Sequence, residues 1–152
     1  MSSVFFYHLT ESPLETVLPI LIGKARQAGW RICVRGRHDG MMQMLDQRLW
    51  VDDPASFIPH GLSGGPHDAD QPVLLTTVDG IPNKASCLMS VGGADIRAED
   101  MTGLDRAMIL FDGFDPDAVA HARLQWKAVT GAKIPAQYWA QEDGRWVKKA
   151  EG

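Results

Sequence analysis

The stretch Val4-Phe5-Phe6-Tyr7-His8-Leu9-Thr10-Glu11-Ser12-Pro13-Leu14-Glu15 decides the fold class of this chain. Val4 to Leu9 is rich in β-branched and aromatic residues and reads as a first strand. Ser12 as N-cap, Pro13 at the first helical position and Glu15 in an S-x-x-E pattern announce a helix. Leu14, Val17, Leu18, Leu21, Ile22 and Ala25 recur at helical spacing and form one core-facing stripe. Pro19 falls on the opposite face, where it deletes a backbone hydrogen bond and bends or loosens the helix. Gly29 is the expected stop.

The same alternation continues outward. Trp30 to Val34 reads as a second strand. Asp39 then caps a second helix with Met41, Met44, Leu45 and Leu49 on its inner face. Val73 to Thr77, Ala85 to Val91 and Met108 to Phe111 read as three more strands. Asp115 and Pro116 repeat the N-cap and proline device ahead of a helix that runs to Thr130, with Gly131 as its stop. Tyr138 to Val147 reads as a terminal hairpin turning at Asp143-Gly144. Strands alternating with helices predict an α/β fold, a layered sheet with helices on both faces. Gly61 to Gln71, rich in Gly, Pro and Asp, reads as an exposed loop.

A chain of 152 residues is long enough to bury a sizeable core in a single domain spanning residues 1–152, without a metal or disulfide to hold it. Its 45% hydrophobic and 22% charged content is that of a soluble globular protein. The net charge of -4 gives no global positive field for nucleic acid or anionic lipid. Cys33 and Cys87 lie in apolar, strand-like runs and read as buried thiols. No apolar run approaches a membrane span, and the start of the chain goes directly into a strand pattern rather than a signal sequence. The expected location is the cytoplasm.

Motifs for chemistry are mostly absent. The first strand-helix turn, His8 to Pro13, holds no glycine, whereas a dinucleotide fold places three there. Gly23-Lys24-Ala25 lacks the upstream glycine and the hydroxyl of a P-loop. Gly61-Leu62-Ser63-Gly64-Gly65 follows an aromatic loop rather than a strand. His67-Asp68-Ala69-Asp70 reads as a solvated polar turn, and no H-x-x-x-H or C-x-x-C pair supports zinc. The acidic pairs Asp52-Asp53 and Glu99-Asp100 sit at element ends and read as capping or solvated charge. No catalytic residue, cofactor or metal is expected. The pattern favours a binding protein over a small α/β enzyme handling a nucleotide or phosphate, which stays open as the alternative.

Two surfaces stand out instead. Met44-Leu45-Asp46-Gln47-Arg48-Leu49-Trp50 ends a helix in a Trp, and Ala55-Ser56-Phe57-Ile58-Pro59-His60-Gly61-Leu62 is an apolar, aromatic loop. Such a loop either folds back on its own core or is covered by another molecule. On the last long helix, Arg123 and Lys127 share a face beside Trp126, with Thr130 below them. Guanidinium and ammonium there can hold a carboxylate while the ring shelters an apolar group. The alternative is a core Trp flanked by two solvated cations.

Val4-Phe5-Phe6-Tyr7, Leu45-Asp46-Gln47-Arg48-Leu49-Trp50, Ser56-Phe57-Ile58-Pro59-His60 and Ala122-Arg123 with Trp126-Lys127 resemble, in that order, the chi subunit of bacterial DNA polymerase III. The pair L-D-x-x-L-W then S-F-I/V-P-H is the specific part. The resemblance implies a three-layer Rossmann-like sheet without nucleotide chemistry. It implies a non-catalytic accessory subunit of the clamp-loader assembly with two partners. One is the psi subunit, on a surface corresponding to Trp50 and Phe57, with Ile58, Pro59 and Leu62 around them. A helicase competing for that surface is a further partner. The other is the acidic C-terminal tail of the single-stranded-DNA-binding protein, held by Arg123, Trp126 and Lys127. DNA would be engaged only indirectly. A second basic residue of the family falls at Val119, so Lys127 or Lys133 would have to replace it, and a pocket Val falls at Asp112.

Overall fold

The computed structural model describes residues 2–51 and 60–152, with the backbone alone at 50 and 51. The elements, in chain order, are β1 (Ser3–Leu9), α1 (Leu14–Gln27), β2 (Ile32–Arg35), α2 (Asp39–Val51), β3 (Gly61–Leu62), β4 (Val73–Thr76), β5 (Cys87–Ser90), β6 (Arg106–Asp112), α3 (Pro116–Gly131), β7 (Ala136–Glu142) and β8 (Arg145–Glu151). Among the described residues the strands form one sheet in the order β3-β4-β2-β5-β6-β1-β7-β8. Every pairing is parallel except β7 with β8.

Alternation along β1 separates two cores. Tyr7 and Leu9 join Val34, Leu75, Met89 and Leu110 beneath Leu18, Ile22, Met42 and Leu45 of α1 and α2. Val4 and Phe6 join Cys33, Leu88 and Ile109 beneath Ala122 and Val129 of α3. The result is three layers, α1 and α2, the sheet, and α3, the α/β arrangement that the strand-helix alternation predicts. The five buried side chains of α1 each contribute about 1.5–3 kcal/mol relative to exposure, Ala25 less. β2, β4 and β5 are buried at every position because both faces are covered. Cys33 and Cys87 are free, buried thiols, as their apolar surroundings in the sequence suggested.

Local signals hold where nothing distant competes with them. Asp115 accepts a hydrogen bond from the Asp117 N–H at 3.0 Å ahead of Pro116, as expected. The terminal hairpin turns at Asp143 and Gly144, both with positive φ (52° and 75°), the geometry of a two-residue I′ turn. Gly29 (φ 85°) ends α1.

Elsewhere tertiary contacts override them. Ser12 does not cap α1: Pro13 occupies that position with no side-chain hydrogen bond. Gln141 on β7 draws the turn away, its Oε1 accepting the N–H groups of Thr10, Glu11 and Ser12 at 3.2, 3.0 and 3.1 Å. The Glu11 carboxylate in return accepts the Gly144 N–H at 2.9 Å. Asp39 opens α2 as its first residue, while the His38 carbonyl accepts the Met42 N–H. Its own carboxylate accepts the Thr77 hydroxyl at 3.0 Å. Met42 is buried in place of Met44, which is 40% exposed, so the inner stripe of α2 is rotated from the expected one. Gly131 lies within α3, and the left-handed residue that reverses the chain is Lys133 (φ 61°). The expected loop after residue 60 contains β3, paired with β4, and a short 3-10 turn at Asp68–Asp70.

One buried ion pair ties the carboxyl edge of the sheet together. Arg35 ends β2 at 4% exposure. Its guanidinium donates to Asp100 Oδ2 and Oδ1 at 2.9 and 3.1 Å, to the Gly80 carbonyl at 2.9 Å and to the Asp95 carbonyl at 3.1 Å. It thus gathers the loops that follow β4 and β5. Of the pair expected as capping or solvated charge, Glu99 is solvated, whereas Asp100 both accepts the Arg97 N–H and neutralises Arg35.

Asp100→Ala strands a buried guanidinium and should cost about 3–5 kcal/mol in urea-unfolding stability. Burial alone raises the Asp100 carboxyl, but hydrogen bonds from Arg35 and the Arg97 N–H, with their charges, outweigh it and hold it below the ordinary value. Because the folded value is depressed, this stabilisation is present above the unfolded value near ~3.9 and is lost as pH falls through the folded one. The wild-type chain should therefore lose stability below about pH 4 more steeply than Asp100→Asn. Gln141→Ala should leave the cores intact but speed amide exchange at Thr10, Glu11 and Ser12 by about tenfold, equivalent to ~1.4 kcal/mol of lost hydrogen bonding.

Candidate partner-binding surfaces

The two halves of the L-D-x-x-L-W and S-F-I-P-H pattern meet in space. Leu45 and Leu49 are core residues of α2. His60, 5% exposed, places Nε2 at 3.1 Å from both the backbone oxygen and Oδ1 of Asp46. With two acceptors facing it, that nitrogen carries the proton. Asp46 and His60 therefore clamp the chain on both sides of the segment that holds the aromatic loop. The Trp50 side chain, Phe57, Ile58 and Pro59 lie outside the described residues. Leu62 follows on β3, 37% exposed.

The second surface is built where α3 crosses β1 and β7. Arg123 and Lys127 are exposed on one flank of α3. Trp126 is half-buried, its ring edge-on to Phe6 at 5.2 Å and to Tyr138 at 6.0 Å. Tyr138 also shares a hydrogen bond with His8 Nδ1 at 2.9 Å, and His8 stacks on Phe111 at 4.8 Å. Aromatic pairs in such tilted and edge-on arrangements hold one another in place. Burial lowers the His8 pKa, opposed by a backbone hydrogen bond at Gly113, and the Arg123 charge lowers it further, so the ring is neutral at pH 7. Burial raises Tyr138 while the Arg123 charge opposes it. Arg123 thus projects its field onto a shelf of neutral rings. Of the two sequence readings of Trp126, the structure shows the ring packed on the core.

His8, Phe111 and Tyr138 were not singled out from the sequence. Period-two alternation puts Phe6 and His8 on the α3 face of β1, which is visible locally. Their meeting with Tyr138 rests on the parallel register Phe6↔Tyr138, which is not. Val119 packs on the α3 core, and Lys133 is exposed in the turn after α3. Asp112 is exposed at the end of β6, where its carboxylate accepts the Phe114 N–H at 2.9 Å.

A third feature lies where an α/β sheet ordinarily binds its ligand. β1 and β6 are neighbours, yet α1 leaves β1 on one face and α3 leaves β6 on the other, which opens a crevice at their carboxyl ends. The crevice has a volume of about 680 Å³. The N–H groups that would meet a phosphate in the first turn are taken by Gln141. Glu11, Glu15, Asp112, Asp115 and Asp117 line the crevice against Arg37 and His121. An anionic nucleotide meets repulsion there, and the enzyme alternative gains nothing from the site. Burial pushes the thiols of Cys33 and Cys87 up to about 12, far from a nucleophile's range. Among the described residues no group of three acidic, His or Cys side chains is close enough for a metal ion, and no helix is long and apolar enough to cross a membrane.

Comparison with known proteins agrees with the two-part pattern. The family model described as DNA polymerase III chi subunit, HolC, matches residues 1–137. A relative from Rickettsia prowazekii (strain Madrid E), described as a probable DNA polymerase III subunit chi, is 28% identical over 96 residues, 63% of this chain and 58% of its own. The DNA polymerase III subunit chi of Haemophilus influenzae is 36% identical over 62 residues, 39% of this chain and 43% of its own. The matched stretches span about half the length of these curated relatives. With the family model covering nine-tenths of its length, the chain belongs to the DNA polymerase III chi subunit family.

Proposed function

We propose that this chain is a non-catalytic accessory subunit of the DNA polymerase III clamp-loader assembly that joins two partners in the cytoplasm. One surface, centred on Trp50 and Phe57 with Ile58, Pro59 and Leu62 around them, buries apolar area against the psi subunit, with a helicase as a competitor for the same residues. The other uses Arg123 and Lys127 to hold the acidic C-terminal tail of the single-stranded-DNA-binding protein. Its terminal Phe lies on Trp126, and its carboxylate meets Arg123. DNA is reached only through that protein.

Beyond family membership, the observation that carries this reading is the shelf beneath Arg123. The Arg123 guanidinium is exposed, its charge reaches Tyr138, and Trp126, one helical turn away, lies edge-on to that ring, which suits a ligand that ends in a ring and a carboxylate together. The Asp46–His60 clamp supports the first surface, because it fixes both ends of the segment carrying the aromatic anchors.

Fluorescence anisotropy with a labelled peptide of the acidic tail tests the second surface. Arg123→Ala should weaken binding by about tenfold or more, and added salt should weaken the wild type, since exposed charges are screened beyond ~8 Å at physiological ionic strength. Affinity indifferent to salt and to Arg123→Ala would remove the assignment. For the first surface, Trp50→Ala or Phe57→Ala should each reduce psi binding by more than about 2 kcal/mol in calorimetry, with tail binding unchanged. Undiminished psi pairing in both variants would refute it.

A further inference from the structure

None of the residues described as lining the crevice between α1 and α3 is assigned to either proposed contact. Arg123 and Lys127 lie on the other flank of α3 from His121, which lines the crevice. Its depth is apolar, with Leu9, Leu110 and Phe111 buried. Its mouth leaves large apolar surface in water, Phe114 at 76% and Met44 at 40% exposure. Its volume of about 680 Å³ falls within the roughly 300–1,000 Å³ of sites that enclose a small ligand.

The charge around it is one-sided. Glu11 and Glu15 stand on the α1 rim, and Asp112, Asp115 and Asp117 on the α3 rim. Among the described residues Arg37 is the one lysine or arginine lining the crevice, and His121 is already beside Asp95 Oδ1 at 2.9 Å. Glu11, Asp112 and Asp115 each accept one backbone N–H, which fixes their carboxylates in place without cancelling their charge. Glu15 and Asp117 occupy the first turns of α1 and α3, where the helix ends stabilise them. The carboxylates are spread over two rims, and no group of three among the described residues could hold one metal ion. A nucleic acid or an anionic lipid surface would be repelled. What complements two acidic rims over an apolar trough is a chain with cations on both sides of an apolar side chain.

We infer that this crevice docks a basic peptide segment of a partner protein, with one large apolar side chain in the trough beside Phe114 and Met44 and Lys or Arg on the two rims. The interaction is separate from the psi and tail contacts proposed above and does not depend on them.

The test is a titration of the full chain, followed by backbone amide shifts, with a synthetic peptide of Trp-Leu flanked by two lysines on each side. A second peptide has glutamates in place of the lysines. Shifts should concentrate at residues 11–15, 41–44 and 112–121, and the glutamate peptide should not bind. Glu15→Lys with Asp117→Lys should weaken the lysine peptide by about tenfold or more. Asp70→Lys makes the same kind of charge change at the opposite, amino-terminal edge of the sheet and should leave affinity within about twofold. Phe114→Ala, at an exposed position that folding does not need, should also weaken binding, and none of these variants should alter binding of the acidic tail peptide. Shifts scattered over the surface, equal loss from Asp70→Lys, binding of the glutamate peptide, or binding of ATP in the crevice would each overturn the inference.

Discussion

The parallel pairing of β1 between β6 and β7 is the constraint on which the rest depends. It sets Phe6 against Ile109 on one side and Tyr138 on the other. Side chains alternate across a sheet, so this register sends Phe6 and His8 toward α3 and Tyr7 and Leu9 toward α1. A slip of one residue would exchange the two sets and place Tyr7 under Trp126. The aromatic shelf below Arg123 and the apolar depth of the crevice are therefore two consequences of one strand's register. Both faces of β1 are buried, so a slipped register gains nothing in core packing and loses the His8 to Tyr138 hydrogen bond.

α3 separates opposite charges. One flank carries Arg123 and Lys127 above neutral rings; the other, with its first turn, faces the crevice and its carboxylates. The net charge of -4 conceals this division. Read as an average, it argues only against broad attraction to polyanions. Resolved onto the helix, it permits an acidic ligand on one side and excludes it from the other. Ala122, Gln125 and Val129 between the two flanks are buried and dock α3 on the sheet, so the cations and the crevice keep a fixed separation.

What the sequence made visible and what it concealed divide along contact distance. The α1 stripe, the Asp115-Pro116 start and the Asp143-Gly144 turn are each decided within a few residues, and periodicity or turn chemistry reports them directly. The Ser12–Glu15 box fails because the Ser12 N–H, which Glu15 would have accepted, goes to Gln141, 129 residues away. Asp100 reads in sequence as capping or solvated charge; the capping holds, its carboxylate accepting the Arg97 N–H, but the ion pair with Arg35, 65 residues distant, is out of view there. Met44 and Met42 were exchanged because Met41, Met42 and Met44 all suit an apolar stripe, and only the docking angle of α2 chooses between them. The same holds for the candidate sites. Arg123, Trp126 and Lys127 are neighbours on one helix and could be read together. His8, Phe111 and Tyr138 come from three strands and could not. Asp46 and His60 lay inside the pattern that suggested the family, but their pairing needed coordinates. Trp50, Phe57, Ile58 and Pro59 remain readings of pattern and family.

The turn after β1 shows how an α/β sheet can keep its switch point and give up phosphate there. Three successive N–H groups point to one place, the arrangement that elsewhere receives an anion. In this chain a neutral amide oxygen from Gln141 fills it, and Glu11 fastens the hairpin that brings that amide. With the donors satisfied internally, positive charge nearby has no phosphate to meet. Carboxylates at Glu15, Asp112 and Asp117 then carry no penalty against a bound anion, and the helix N-termini favour them. The missing glycines and the acidic crevice have the same physical origin: the terminal hairpin occupies the place of the ligand, and the surface around it has taken the charge that a phosphate would have forbidden.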